Sequence, residues 1–169
     1  FSGSLTAAIV REDGADKIEL EEAYVESLEG SLLDNTFFKF GRAFWNVGTL
    51  NPQHAHADDF VDRPLPYRVF LNKAYNDDGF EAAYLIGSGE IGLGFFRGED
   101  FPFGNTAASE GHGSDAWSVY YKSTFDLSGK EEISLNLYHL SGKSRTPNAR
   151  ISNEDNVTFS GDSDLSIFN

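Results

Sequence analysis

Apolar and polar residues alternate with a period of two along much of the chain, and turn-forming residues separate the alternating runs. This pattern predicts antiparallel β-strands rather than helices. Between Ser114 and Leu127 one face carries Trp117, Val119, Tyr121 and Phe125, and the other Ser118, Tyr120, Lys122, Thr124 and Asp126. After the short turn Ser128-Gly129-Lys130, Ile133, Leu135 and Leu137 alternate with Ser134, Asn136 and Tyr138, which predicts a hairpin over 114–141. A second hairpin is predicted across Gly87-Ser88-Gly89, with Phe80, Ala82, Tyr84 and Ile86 on one arm and Ile91, Leu93 and Phe95 on the other. Its opposite face offers Glu81, Ala83, Gly92, Gly94 and Phe96. Near the start, Leu5, Ala7 and Ile9 alternate with Ser4, Thr6 and Ala8 before a turn at Asp13-Gly14. Ile18 and Leu20 open the returning strand, but Glu22 breaks their phase and leaves its facing open. Phe38-Phe40, Tyr67-Val69-Leu71 and Val157-Phe159 bring the total to about nine predicted strands.

Three predicted connections are long, at about 44–65, 100–113 and 143–155. Short turns on one rim and long loops on the other are the habit of outer-membrane barrels. Nine strands do not alternate rims cleanly, because the 44–65 loop then falls beside the short turns. Either a further strand exists, or that segment folds into the interior. A strand that crosses a membrane needs about 9–11 residues; 114–127 and 131–141 meet that length, while 66–72 and 80–86 are short of it. The same alternation fits an immunoglobulin-like or jelly-roll sandwich, so the pattern alone leaves a soluble β-sandwich open beside a membrane barrel.

Composition narrows the function classes. The 169 residues carry 27 acidic against 13 basic side chains, a net charge of −14. Such a chain lacks the basic footprint that nucleic acid or an anionic lipid surface requires, so nucleic acid is not an expected partner. Acidic residues are compatible with the interior and loops of a barrel. The absence of cysteine removes disulfides, thiolate zinc sites and cysteine nucleophiles together. A chain that starts at Phe1 and holds no methionine reads as processed or truncated. No signal-peptide pattern and no run of about 18 apolar residues is present, so membrane contact would have to come through strands.

The segment 41–71 carries Gly41-Arg42, then Gly48-Thr49-Leu50-Asn51-Pro52-Gln53-His54-Ala55-His56, then Phe60-Val61-Asp62-Arg63-Pro64-Leu65. Downstream stand Asn76-Asp77-Asp78-Gly79, Phe96-Arg97-Gly98-Glu99-Asp100-Phe101-Pro102 and Gly113-Ser114-Asp115-Ala116-Trp117-Ser118. Together these runs resemble a family of bacterial outer-membrane proteins labelled zinc-regulated or TonB-dependent outer-membrane receptors. The family pattern joins a Gly-Arg or Gly-Lys strand end to Gly-x-x-Asn-x-x-His-x-His and Phe-x-Asp-Arg-Pro-Leu, and the resemblance spans roughly residues 20–140. It implies an all-β, antiparallel up-and-down transmembrane β-barrel in the outer membrane of a Gram-negative bacterium. Residues 1–169 would then form a single segment of a larger barrel, with a lumen-folded loop at about 44–65. An open half-sheet would leave two unpaired edges in lipid, so further strands or another chain must close it. The chain departs from the receptor label: no plug domain and no TonB-interaction segment is recognisable, and Asp59 stands where the family often has Pro.

His54 and His56 are two residues apart, so an extended backbone points both imidazoles the same way, with Asp58 and Asp59 close behind. Imidazole nitrogen with carboxylate oxygen suits a divalent metal, zinc above all. The alternative is a folded-in loop held by hydrogen bonds of the histidines and Asp62-Arg63-Pro64. Asp62 and Arg63, with Lys39, Arg42 and Arg68, are candidate charges facing one another across a constriction, where they would set ion preference. Ordinary ion pairs that anchor a loop account for them equally well. Glu19-Glu21-Glu22, Asp77-Asp78 and Glu99-Asp100 lack the spacing of a calcium loop and read as solvated turns. His139 is expected to pack at the end of its strand. No nucleophile elbow, phosphate-cradling loop or His-Glu-x-x-His helix is present, so an enzyme is not expected. The expected function is porin- or receptor-like passage of small solutes, including divalent cations such as zinc. A structural barrel subunit of an envelope complex and a soluble β-sandwich binding module are the alternatives.

Overall fold

The computed structural model describes residues 1–12, 15–53, 62–103, 116–127, 129, 131–144, 150–151, 158–159 and 163–168. The strands are β1 (Ser2–Glu12), β2 (Ala15–Glu26), β3 (Thr36–Phe44), β4 (Asn76–Ile86), β5 (Gly89–Phe96), β6 (Ala116–Asp126), β7 (Glu132–Ser144), β8 (Arg150–Ile151), β9 (Thr158–Phe159) and β10 (Ser163–Phe168). One short helix, α1 (Leu65–Leu71), lies between β3 and β4. The sheet has eight strands in the order β1-β2-β3-β4-β5-β6-β7-β10, every pair antiparallel. It is an up-and-down meander that does not close on itself among the described residues. The two-residue strands β8 and β9 pair only with each other.

Several expected elements are corrected. Tyr67-Val69-Leu71 is not a strand but lies in α1. Tyr67 and Leu71, four apart, share one helix face and are both buried, so the same residues satisfy a helical period as well as an alternating one. Pro66 in the first turn has no hydrogen bond to lose there and favours the helix. Val157-Phe159 supplies only the two-residue β9. β4 starts at Asn76 rather than Phe80 and so reaches 11 residues. The broken phase at Glu22 is a β-bulge: Thr6 pairs with Glu22 and Ala7 with Leu20, leaving Glu21 as the extra residue.

Replacing the expected strand at 66–72 by a helix also settles the rims. The connections 27–35, 87–88 and 127–131 lie at one end of the sheet. The strand ends that 45–75, 97–115 and 145–162 join all lie at the other, together with the ends Glu12 and Ala15 of the β1–β2 hairpin. The three longest connections therefore share one end of the sheet, with the two-residue β1–β2 connection beside them.

The two faces of the sheet differ. The inner face is covered near the long-connection end by the chain following β3. There Trp45, Val47, Tyr67, Leu71, Tyr75 and Phe103 pack on Ala43, Phe96, Ala116 and Leu140, forming the main buried cluster. Asn51, wholly buried, is the polar hub of this cover: its Nδ2 donates to the carbonyls of Trp45 and Tyr75, both at 2.8 Å, and its Oδ1 accepts from the Tyr75 amide at 2.6 Å. That arrangement satisfies backbone groups that no strand partner could reach.

A second, smaller cluster of Ala83, Tyr120 and Tyr138 lies further along the same face. Tyr120 lies flat against β5 because Gly92, its register partner, has no side chain; a Cβ there would stand 2.2 Å from the ring. Gly92→Val is therefore expected to lift the ring off the wall and cost about 1–3 kcal/mol. The urea unfolding midpoint of folded protein measures it, and the Gly92→Val/Tyr120→Ala double variant should recover part of the loss.

Candidate functional site

Strand alternation divides the side chains by chemistry, and the register makes the division exact from strand to strand. On the outward face one hydrogen-bonded row runs through Val25, Phe40, Phe80, Phe95 and Trp117. Next to it, toward the long connections, the paired positions are Arg42 and Asp78, followed by Arg97 just beyond β5. In the other direction come Ala82, Leu93 and Val119, then Tyr84, Ile91, Tyr121 and Leu137. Many of these apolar residues are open to solvent: Phe40 is 64% exposed, Leu93 43%, Phe95 46% and Leu137 54%. Among the described residues no second sheet covers them.

This apolar band is not parallel to the hydrogen-bonded rows. On β1 it consists of Leu5 and Ile9, 77% and 78% exposed, which lie on the long-connection side of the aromatic row. On β7 it consists of Leu137, Leu135 and Ile133, on the opposite side of that row. The band thus crosses the sheet diagonally.

The inner face carries a network of charged and polar groups. Lys39 of β3 and Glu81 of β4 are register partners. Glu81 is buried, and Asn46 holds it from above: Nδ2 donates to Oε1 at 2.6 Å and the amide to Oε2 at 3.3 Å. Asn46 Oδ1 in turn accepts from Lys122 Nζ at 2.5 Å. Tyr120 Oη donates to Glu90 Oε1 at 2.7 Å, and Lys122 Nζ stands 4.0 Å from the same oxygen. The Lys39 ammonium lies 3.9 Å from the Tyr24 ring centroid and 5.5 Å from that of Trp45, a cation–π arrangement. These groups border a cavity of about 350 Å³, whose lining includes Glu26, Glu29, Lys39, Glu81, Glu90 and Tyr120. Four carboxylates and Lys39 line it, and Lys122 stands beside Glu90 and Asn46 at its border. The chain of polar contacts ties the segment after β3 to β4 and β6, and mutual satisfaction is what makes such buried polar groups tolerable.

The end of the sheet near the long connections holds a second charged group. Arg42 Nη2 donates to Asp100 at 2.6 Å, and Nη1 lies 3.5 Å from Asp78. Arg97 bridges Asp78 at 3.3 Å and Glu99 at 2.5 Å. Burial pushes the Asp100 carboxyl up, and the Arg42 guanidinium opposes that shift. Burial raises the Tyr75 phenol well above its usual range, so Tyr75 is a donor, giving its proton to Asp77 Oδ2 at 2.8 Å. Asp77 also accepts from the amides of Gly98 at 2.7 Å and Asp78 at 2.8 Å. The expectation of a solvated turn at Asp77-Asp78 is overturned: Asp77 is 1% exposed and lies in β4. Glu99-Asp100 likewise belongs to the ion-paired group rather than to a free turn. Glu22 is buried on β2.

The five candidate pore charges do not converge. Lys39 points to the inner face and Arg42 to the outward one. Arg63 is buried and donates to the carbonyls of Lys73 at 2.9 Å and Gln53 at 2.6 Å, closing the segment between them. Asp62 is exposed ahead of α1, and Arg68 is half-buried on it. His54, His56, Asp58 and Asp59 lie outside the described residues. Among the described residues no group of three or more His, Asp or Glu is placed to hold a metal ion, and no helix is long and apolar enough to cross a membrane. His139 lies within β7 rather than at its end, with its ring centroid 4.9 Å from that of Trp117.

The residues missed at first were Asn46, Glu81, Glu90 and Lys122. Glu81 and Lys122 already stood on the polar side of their own strands' alternation. Asn46 follows a strand end and had no pattern to reveal it. No protein-family model, no curated protein and no solved structure matches this chain.

Proposed function

We propose that the chain forms part of the wall of an outer-membrane β-barrel that passes small solutes, with the outward face in lipid and the inner face lining the path. The observation that carries this reading is the diagonal apolar band. Between β1 and β7 the band drifts by about 1.5 residues per strand; at about 3.3 Å per residue and 4.8 Å between strands, that corresponds to strands tilted by roughly 45° from the membrane normal. A sheet with an apolar band fixed in a membrane plane and strands tilted across it must show such a drift. A water-exposed sheet face has no reason to. On β3, β4 and the end of β5 the band stops at Arg42, Asp78 and Arg97, as an apolar band does where it meets a membrane–water boundary. The gathering of the three longest connections at one end agrees with it. In lipid the open edges must be paired, by further strands or by another chain.

The inner cavity supports a preference for cations, because its four carboxylates outnumber the two lysines, Lys39 and Lys122, beside them. The resemblance over 41–71 extends the cargo class to divalent cations such as zinc. Planar-bilayer recording tests the reading: insertion should give cation-selective steps. Glu90→Gln should then lower the cation-to-anion permeability ratio by about fivefold, since one charge at 4 Å in water is worth about 1 kcal/mol. Conductance with no preference for cations would remove the selectivity assignment.

A silent structural barrel is the second reading. It is favoured by how closely Trp45, Tyr67 and Tyr75 pack over the inner face, and inserted but non-conducting protein would select it.

A further inference from the structure

The outward face holds a notch where β2 and β3 part. Their pairing runs from Glu26 and Lys39 to Ala23 and Arg42 and then stops, so Leu20 on β2 has no register partner on β3. Beside that point lies a cavity of about 500 Å³ with Leu20, Phe40, Phe80 and Phe95 among its walls. Its lining is almost wholly apolar except along one side, where Arg42, Asp78 and Arg97 stand. An apolar slot ending in a row of charges of both signs has the chemistry of an amphiphile site, not of a solute site.

We infer that this notch seats one acyl chain of a zwitterionic phospholipid, with the lipid phosphate on Arg97 and the lipid amine on Asp78 and Glu99; the inference rests on the membrane reading above. The charges decide the headgroup. Arg42 is committed to Asp100 at 2.6 Å and is mostly covered, whereas Arg97 is half exposed. A guanidinium has five N–H donors, more than the contacts of Arg97 to Asp78 and Glu99 require, so a phosphate oxygen finds donors left over. The row holds two guanidiniums against the carboxylates of Asp78, Glu99 and Asp100. It is therefore net negative, and a purely anionic headgroup would be repelled. A headgroup that carries a phosphate and an ammonium meets a partner of each sign. The position agrees, because the row borders the apolar band where headgroups begin.

Native mass spectrometry of the full chain folded in detergent micelles tests this. Added phosphatidylethanolamine should be retained over phosphatidylglycerol, and Arg97→Gln should lower its retention about tenfold, the size of one lost charge-assisted hydrogen bond. Leu20→Ser, which leaves every ion pair in place, should also weaken retention. Soluble phosphoethanolamine without chains should not bind measurably, because the slot supplies the acyl contacts. Equal retention of both lipids, or unchanged retention in both variants, would overturn the inference while leaving a folded micellar protein and the membrane reading intact. A chain that stays monomeric and folded in plain buffer, ignoring micelles, would overturn both.

Discussion

Leu93→Arg is expected to cost about 2–4 kcal/mol of folding stability in a bilayer, the penalty for a cationic side chain on the lipid face near the midplane. Leu93 lies on the outward face of β5, 43% exposed, between Ala82 of β4 and Val119 of β6. In water the same substitution at so exposed a site would be worth less than about 0.5 kcal/mol and would improve solubility. The two environments thus predict effects of different size and, for solubility, of opposite sign. Urea titration of protein folded into phospholipid vesicles reads the difference. Thr124→Arg, on the opposite face of β6, should be close to neutral. Leu5→Arg on β1 and Leu135→Arg on β7 should each be costly, although they lie on opposite sides of the aromatic row. That pair of results follows only if the band is tilted.

The second large effect concerns the cover of the inner face. Trp45 is fully buried, packs on Phe96 with ring centroids 5.1 Å apart, and donates from Nε1 to the Asp77 carbonyl at 2.8 Å. Trp45→Ala should remove about 3–5 kcal/mol, because it combines a large cavity with an orphaned carbonyl. The loss should fall on the segment that follows β3 more than on the sheet, whose strand pairing does not depend on it. Trypsin cleavage at Arg68 and Lys73 should therefore accelerate before the sheet unfolds, and inserted protein should conduct more. Unchanged proteolysis together with unchanged conductance would mean that the cover is held from elsewhere.

The sheet was legible in the sequence because each strand separates its chemistry by parity, so Trp117, Val119 and Tyr121 declare one face and Ser118, Tyr120 and Lys122 the other. What misled was the segment 64–72. Tyr67 and Leu71 satisfy both periods, and only their packing against Trp45 and Tyr75 decides between helix and strand. That one substitution of element disturbed the order of the rims. The start of β4 was hidden because Asn76-Asp77-Asp78-Gly79 has turn chemistry; burying Asp77 requires Tyr75 and Gly98 as partners, and Gly98 is 21 residues away. The bulge at Glu21 was visible only as a broken phase. Of the candidate charges, Lys39 and Arg42 were found by type, yet their partners were not, since Lys122 meets Asn46 across 76 residues. Contacts of that separation belong to the register, which alternation alone does not specify.

The membrane assignment of the outward face is tested most directly by dilution of the urea-unfolded chain into phospholipid vesicles, followed by flotation and by electrophoresis with and without heating. The account predicts that the protein floats with the lipid and that unheated samples migrate as a compact, heat-modifiable band. A monodisperse, folded monomer that remains in the aqueous layer without detergent would contradict it.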